Sequence, residues 1–200
     1  NVCTTSYYFR FIMKKLTILF VSLFIYSCQP VEKIERVVFD NNQFSKFDLL
    51  SASVEITEIF EKKISNPYIG HTLEIDPSQR IINWVNNNFK AIGNENIFTV
   101  TILDASLTQN EIENSEAKNF DEKTNYKYEL FYLIEFNLYD DSRNLVASTL
   151  VENSRSTTSG LLISIQEREK IINDLVYHGL NDISNESKQL LIKYMGDFIL

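Results

Sequence analysis

The chain has 200 residues, 44% of them hydrophobic and 12% aromatic, which is enough apolar material for a packed core and too much for a disordered chain. Its formal charge of −8 at pH 7 opposes contact with nucleic acid phosphates and anionic lipid headgroups, so no nucleic acid partner is expected. Its two cysteines are Cys3 and Cys28, so the chain beyond Cys28 has no disulfide and no Cys metal site.

From Met13 the residues follow the layout of a secretion signal. Lys14 and Lys15 form a charged leader, and the apolar run from Leu16 to Tyr26 is too short to cross roughly 30 Å of hydrocarbon as a helix. Ser27 supplies the small residue before a cleavage site, followed by Cys28. Residues 1–12 add nothing that a signal needs and read as an upstream extension. Residues 13–27 then read as the signal peptide, 28–36 as a polar tether and 37–200 as a single periplasmic domain. Losing Arg10, Lys14 and Lys15 with the leader makes the remaining chain more acidic still.

Within the domain, Ala52, Val54 and Ile56 alternate with Ser53, Glu55 and Thr57, the period-2 signature of a half-buried strand. Asp76 then caps a helix whose first turn holds Pro77, where the missing N–H costs nothing. Ile81, Val85, Phe89 and Ile92 recur on one face beside Trp84, and Gly93 is placed to end the helix in a left-handed turn. Phe98, Val100 and Ile102 mark a second strand running on towards Leu107, with Asp104 interrupting it as a bulge or a partner-facing residue. The polar stretch from Asn110 to Asn125 reads as a mobile connection.

The strongest pattern in the chain follows, with Tyr126, Tyr128, Leu130, Tyr132, Ile134, Phe136 and Leu138 all on one face. Asp140 to Asn144 is turn chemistry, so Leu145 to Val151 should return antiparallel, with Glu152 to Gly160 as a polar extension. Ser164 and Glu167 form a capping box that opens a helix carrying Ile172, Leu175, Val176, Leu180 and Ile183. Its stripe resumes at Leu190, Leu191, Tyr194 and Phe198, and Gly179 or Asn181 to Asn185 offers a place to break it in two. The order β-α-β-β-β-α implies an α+β fold, an antiparallel-rich sheet of about four strands with two main helices on one face.

Signals for catalysis are sparse. His71 reads as a loop residue and His178 as a helix-surface residue, with no metal-ligand or triad spacing around either. Five glycines leave little material for a phosphate loop, so no cofactor and no enzymatic activity is expected. Asp140 and Asp141 are explained by the turn, and Tyr126 to Tyr132 by a strand facing a core or a partner. Ser154 to Ser159, dense in hydroxyls around Arg155, is a conceivable anion site but reads better as a polar strand end.

Ile25, Ser27 and Cys28 resemble the lipobox of bacterial lipoproteins, although Tyr26 is bulkier than that pattern prefers. The resemblance implies cleavage before Cys28, a diacylglycerol on its thiol and an acylated amine. Two or three acyl chains anchor stably, because each buried methylene contributes roughly 0.8 kcal/mol. Gln29 replaces the Asp of the inner-membrane retention signal known from enterobacterial lipoproteins, which favours the outer membrane. By size and element order the domain also resembles auxiliary lipoproteins of ABC-type lipid transport systems and the lipoprotein of the lipopolysaccharide translocon. That resemblance implies a non-catalytic assembly or transport accessory whose partner is an outer-membrane barrel or an ABC-transport component; it carries over no site residue beyond Cys28. The alternative is a periplasmic small-ligand or lipid-binding protein with a groove between helices and sheet. A deep apolar cavity would favour that alternative, and an exposed strand edge or flat apolar patch the accessory.

Overall fold

The computed structural model describes residues 37–115, 117–118 and 123–200, so Cys28 and the segments before residue 37 lie outside the described residues. The fold is α+β. Strand β1 (Phe47–Leu49) is followed by β2 (Ser53–Glu58), helix α1 (Pro77–Asn88) and β3 (Phe89–Ala91). Three long strands come next, β4 (Ile97–Glu113), β5 (Thr124–Tyr139) and β6 (Leu145–Gly160), and then helix α2 (Ile165–Met195). The main sheet has the order β2-β4-β5-β6, with β2 parallel to β4 and the other pairs antiparallel.

Both helices pack on the face that the β5 pattern marks as apolar. Tyr128, Leu130, Tyr132, Ile134, Phe136 and Leu138 are all buried. Phe89, at the end of α1, stacks on Phe136 with ring centroids 5.9 Å apart, and Gly179 of α2 sits over Leu130 and Tyr132. Burying each such side chain contributes roughly 1.5–3 kcal/mol, so this face dominates the stability of the domain.

Both helix starts form as the sequence indicates. The Asp76 carboxylate accepts from the Gln79 N–H at 3.0 Å, and Ser164 Oγ accepts from the Glu167 N–H at 3.1 Å. These bonds satisfy donors that have no partner inside the helix.

Four expectations change. First, α1 ends at Asn88, and the chain passes directly into β3, paired in parallel with β1. Phe47 stacks on Phe89 at 4.5 Å, so a tertiary contact converts the third apolar position of the stripe into a strand residue and leaves Ile92 beyond β3. Gly93 is not a left-handed cap. A Cβ there would lie 2.6 Å from the Leu50 carbonyl carbon, so the position requires glycine for close backbone approach.

Second, α2 is unbroken across Gly179 and Asn181 to Asn185. Its polar residues bond outward, Asp182 to Arg155 and Ser184 to the Ser45 N–H, and so do not compete with the helix backbone. Third, Asn110 to Glu113 and Thr124 to Asn125 are not connection but paired strand, with Asn110 opposite Lys127 and Glu113 opposite Thr124. Backbone pairing continues in register beyond the core without an apolar face. Fourth, the β1–β3 pair is an addition that the alternation did not reveal, because three-residue strands carry almost no period.

The Asp104 interruption is a bulge. The β4–β5 register shifts between Ile102 and Asp104, and Asp104 Oδ1 accepts from the Ser106 N–H at 2.8 Å. The extra residue restores the phase, so that Ala105 and Leu107 rejoin Phe98, Val100 and Ile102 in the core.

Candidate interaction site

The two edges of the main sheet differ in kind. Strand β2 is short, carries Glu55 and Glu58, and is flanked by the segment that leads to α1. Strand β6 is long and pairs only with β5, so its other side has no strand partner among the described residues. From Leu145 to Val151 it contains no charge and no proline. Native sheets blunt their edges with short strands, charges, prolines and bulges; β2 has the first two, whereas β6 is long, has its charges only beyond Val151, at Glu152 and Arg155, and bulges at Val146.

The same stretch exposes large aliphatic side chains, Leu145 at 56%, Val146 at 46% and Leu150 at 50%. The hairpin turn holds this end of β6 in place. Asp140 Oδ1 accepts from the Asn144 N–H at 2.8 Å and Oδ2 from the Asn144 side-chain amide at 2.9 Å, while Arg143 adopts φ 61°. The bonds from the Asn144 side chain and backbone hold the Asp140 carboxyl below the usual carboxylate range. The register also shifts between Leu138 and Tyr139, leaving Val146 unpaired between Leu145 and Ala147.

A cleft of about 280 Å³ lies on the other side, between the segment before α1 and the bulged part of β4. Phe60, Ile64, Pro77 and Leu107 form apolar walls, with Lys63 and His71 beside them. The Ile59 N–H donates to the Ile102 carbonyl and the Ile69 N–H to the Leu107 carbonyl, so the intervening chain bows away from β4. Charges at the cleft are largely matched. Lys62 lies 3.2 Å from Asp76 and 3.4 Å from Glu58, which hold it protonated to higher pH against the opposing effect of burial. Lys63 donates to the Tyr68 hydroxyl at 3.0 Å.

Between helices and sheet lies a third polar feature. Tyr132 OH, Trp84 Nε1 and Arg80 Nε are buried without a hydrogen-bond partner among the described residues. The Arg80 guanidinium lies 3.6 Å from the centre of the Phe39 ring. Burial pushes the Tyr132 hydroxyl far above its ordinary pKa, so it stays neutral and is no candidate base.

The residues singled out from sequence do not converge. His71 sits in a short 3-10 turn at the cleft, and His178 is exposed on α2 beside Tyr177. Arg155, at the conceivable anion site, is engaged by Asp182. Among the described residues no group of His, Cys, Asp and Glu could hold a metal ion, and no helix is long and apolar enough to cross a membrane. Sequence reasoning missed the cleft; its one local signal was the Ser65-Asn66-Pro67 turn chemistry after a strand.

No protein-family model matches the chain, and no curated protein does. Among solved structures it is similar to a minor lipoprotein from Acinetobacter baumannii, with TM-score 0.39 and 12% identity, over 76% of this chain and 96% of that one. It is also similar to the rare lipoprotein B from Shewanella oneidensis, with TM-score 0.36 and 11% identity, over 70% of this chain and 97% of that one. At these scores the likenesses carry no argument about function, which has to be read from the chain's own residues.

Proposed function

We propose that this chain is a lipid-anchored protein of the bacterial envelope, held through Cys28 and facing the periplasm, whose domain is a non-catalytic accessory of assembly or transport. The observation that carries the accessory role is the open β6 edge, uncharged from Leu145 to Val151 and with exposed aliphatic side chains there, a surface suited to strand pairing. The anchor rests on the run from Met13 to Cys28. Gln29 favours the outer membrane. The partner at the envelope is an outer-membrane barrel or an ABC-transport component.

The cleft supports the alternative, a small-ligand or lipid-binding protein. Its volume of about 280 Å³ lies at the bottom of the range for ligand pockets, roughly 300–1,000 Å³, and it is smaller than an acyl-chain carrier needs. The edge is therefore the better guide.

Replacing Cys28 with Ala is expected to abolish fatty-acid labelling and leave a larger, unprocessed precursor; continued labelling refutes the anchor. Purification of the full chain from detergent-solubilised membranes after mild crosslinking tests the role. A barrel or an ABC-transport component is expected with it, and recovery with only a bound small molecule would shift the reading to the alternative.

A further inference from the structure

The β6 edge also indicates which strand fits it. We propose that two copies of this chain pair through their β6 strands, antiparallel, about a two-fold axis at Ser148. This inference rests on the reading of β6 as a docking edge and supplies the occupant, a second copy. An accessory of this kind then meets its envelope partner as a pair.

Symmetry and side-chain face restrict the register. A two-fold axis perpendicular to the sheet keeps each face on its own side, so residues that meet must share a face and the axis must pass midway between one residue of β6 and its own copy. Centring on Ser148 sets Val146 against Leu150 of the partner subunit twice, covering two of the three exposed aliphatic side chains of the strand. It also brings exposed Arg143, next to Asn144, close to exposed Glu152 of the partner subunit at both ends. Centring on Thr149 would set Arg143 against Arg155 of the partner subunit, and centring on Glu152 would set two carboxylates together. Ser148 is the centre that buries the aliphatic side chains and matches the charges.

Helix α2 leaves room for this pairing. It is tied to the C-terminal half of β6 by the Arg155–Asp182 ion pair. Its far end is tied to the other side of the sheet, where the Phe198 carbonyl accepts from the Leu50 N–H at 2.8 Å and Ile199 bridges Leu49. Leu49 ends β1, which leads into β2, the opposite edge strand. The helix lies on the inner face of the sheet, with Gly179 over Leu130 and Tyr132 of β5, and makes no strand pair along the edge of β6.

The test uses the full chain in detergent solution, with molar mass by light scattering and disulfide trapping. The parental protein, whose Cys3 would be lost with the leader and whose Cys28 thiol would carry the lipid, sets the background. Ser148→Cys is expected to trap a covalent dimer under mild oxidation, since Cβ atoms meeting across an antiparallel pair lie roughly 4.5–5.5 Å apart. Ser156→Cys, on the same face but outside the paired stretch, is expected to stay at background. Leu150→Lys, at an exposed position that leaves the core intact, is expected to weaken self-association roughly tenfold or more, because symmetry counts each loss twice. A monomeric mass at every concentration together with background trapping at Ser148→Cys overturns the inference. Equal trapping at Ser156→Cys overturns the register. If Leu150→Lys abolishes crosslinking to the envelope partner while the parental chain is monomeric, the edge reading survives and the second copy is refuted. If it changes neither, both readings fall.

Discussion

Gly179 sits in the middle of α2, where alanine is the better residue by about 1 kcal/mol on helix propensity alone. On that ground Gly179→Ala would stabilise the protein. The packing reverses the sign. A Cβ at this position would fall inside the van der Waals shell of Leu130 Cδ2 and lie 3.5 Å from Tyr132 Cε2. Leu130 is fully buried and faces Leu107 across the β4–β5 pair, so its methyl has to shift within a packed core to admit the new carbon. Overpacking by one carbon in a closed core costs roughly 1–3 kcal/mol, more than the propensity gain. A net loss of about 1 kcal/mol is expected, or roughly 2–4 °C in Tm for a domain of this size. Urea unfolding followed by circular dichroism reads the difference directly. Leu130→Val supplies the control: it costs stability alone, but combined with Gly179→Ala the total loss should fall short of the sum by about 1 kcal/mol, because the smaller side chain admits the new methyl. A rise in the midpoint for Gly179→Ala, or strict additivity in the double variant, refutes a contact between α2 and the sheet at this position.

Phe136→Asp places an unpaired carboxylate in the centre of the core, and breaking burial in this way costs at least about 3–5 kcal/mol. Loss of near-ultraviolet circular dichroism and of a cooperative transition is expected, and an unchanged transition overturns the orientation of β5. The Asp76 cap gives stability a pH dependence. Burial raises its pKa, but the Gln79 N–H, the Ser78 hydroxyl and Lys62 outweigh that effect and hold the carboxyl below its usual range. A depressed folded-state pKa contributes stability that is present above the unfolded value, about 3.9, and is lost as pH falls through the folded one. Asp76→Asn keeps a capping oxygen but removes the charge, so its stability deficit at pH 7 is expected to shrink as the pH is lowered below about 4. A deficit that is constant with pH contradicts the assignment. Gly93→Ala forces a Cβ against the Leu50–Ser51 backbone, which cannot rotate aside as a side chain does, so its loss of stability should exceed that of Gly179→Ala. An equal or smaller loss would show that the β1 segment can yield.

Little of the candidate interaction site was legible in the residues. The absence of charge between Leu145 and Val151 was visible, but it reads equally as a strand with neighbours on both sides. The cleft depends on the bow between Ile59 and Pro67, which is set by backbone bonds to β4 at Ile59, Pro67 and Ile69 and by no side-chain pattern. The buried polar atoms of Tyr132, Trp84 and Arg80 come from two elements distant in sequence, so no single window of residues records their burial without partners.

Some features were fixed locally, and these the sequence by itself determined. Alternation places Tyr128 to Leu138 on one face because a strand turns its side chains every second residue. The starts of both helices follow from Asp76 and Ser164 because a cap is a bond between neighbours. The Asp140 turn and the bulge at Asp104 follow for the same reason. Only tertiary structure decided what each face and edge meets. The helix α1 stops at Asn88 because Phe89 finds Phe47, and α2 continues through Gly179 because the sheet approaches there too closely for a side chain. The polar Asn110 to Glu113 stays in the sheet because β5 continues beside it, and β6 is left without a second strand partner among the described residues because the chain turns from it into α2. A residue's own chemistry sets the conformation of its neighbours in sequence, whereas partners across space are chosen by the packing of the whole chain.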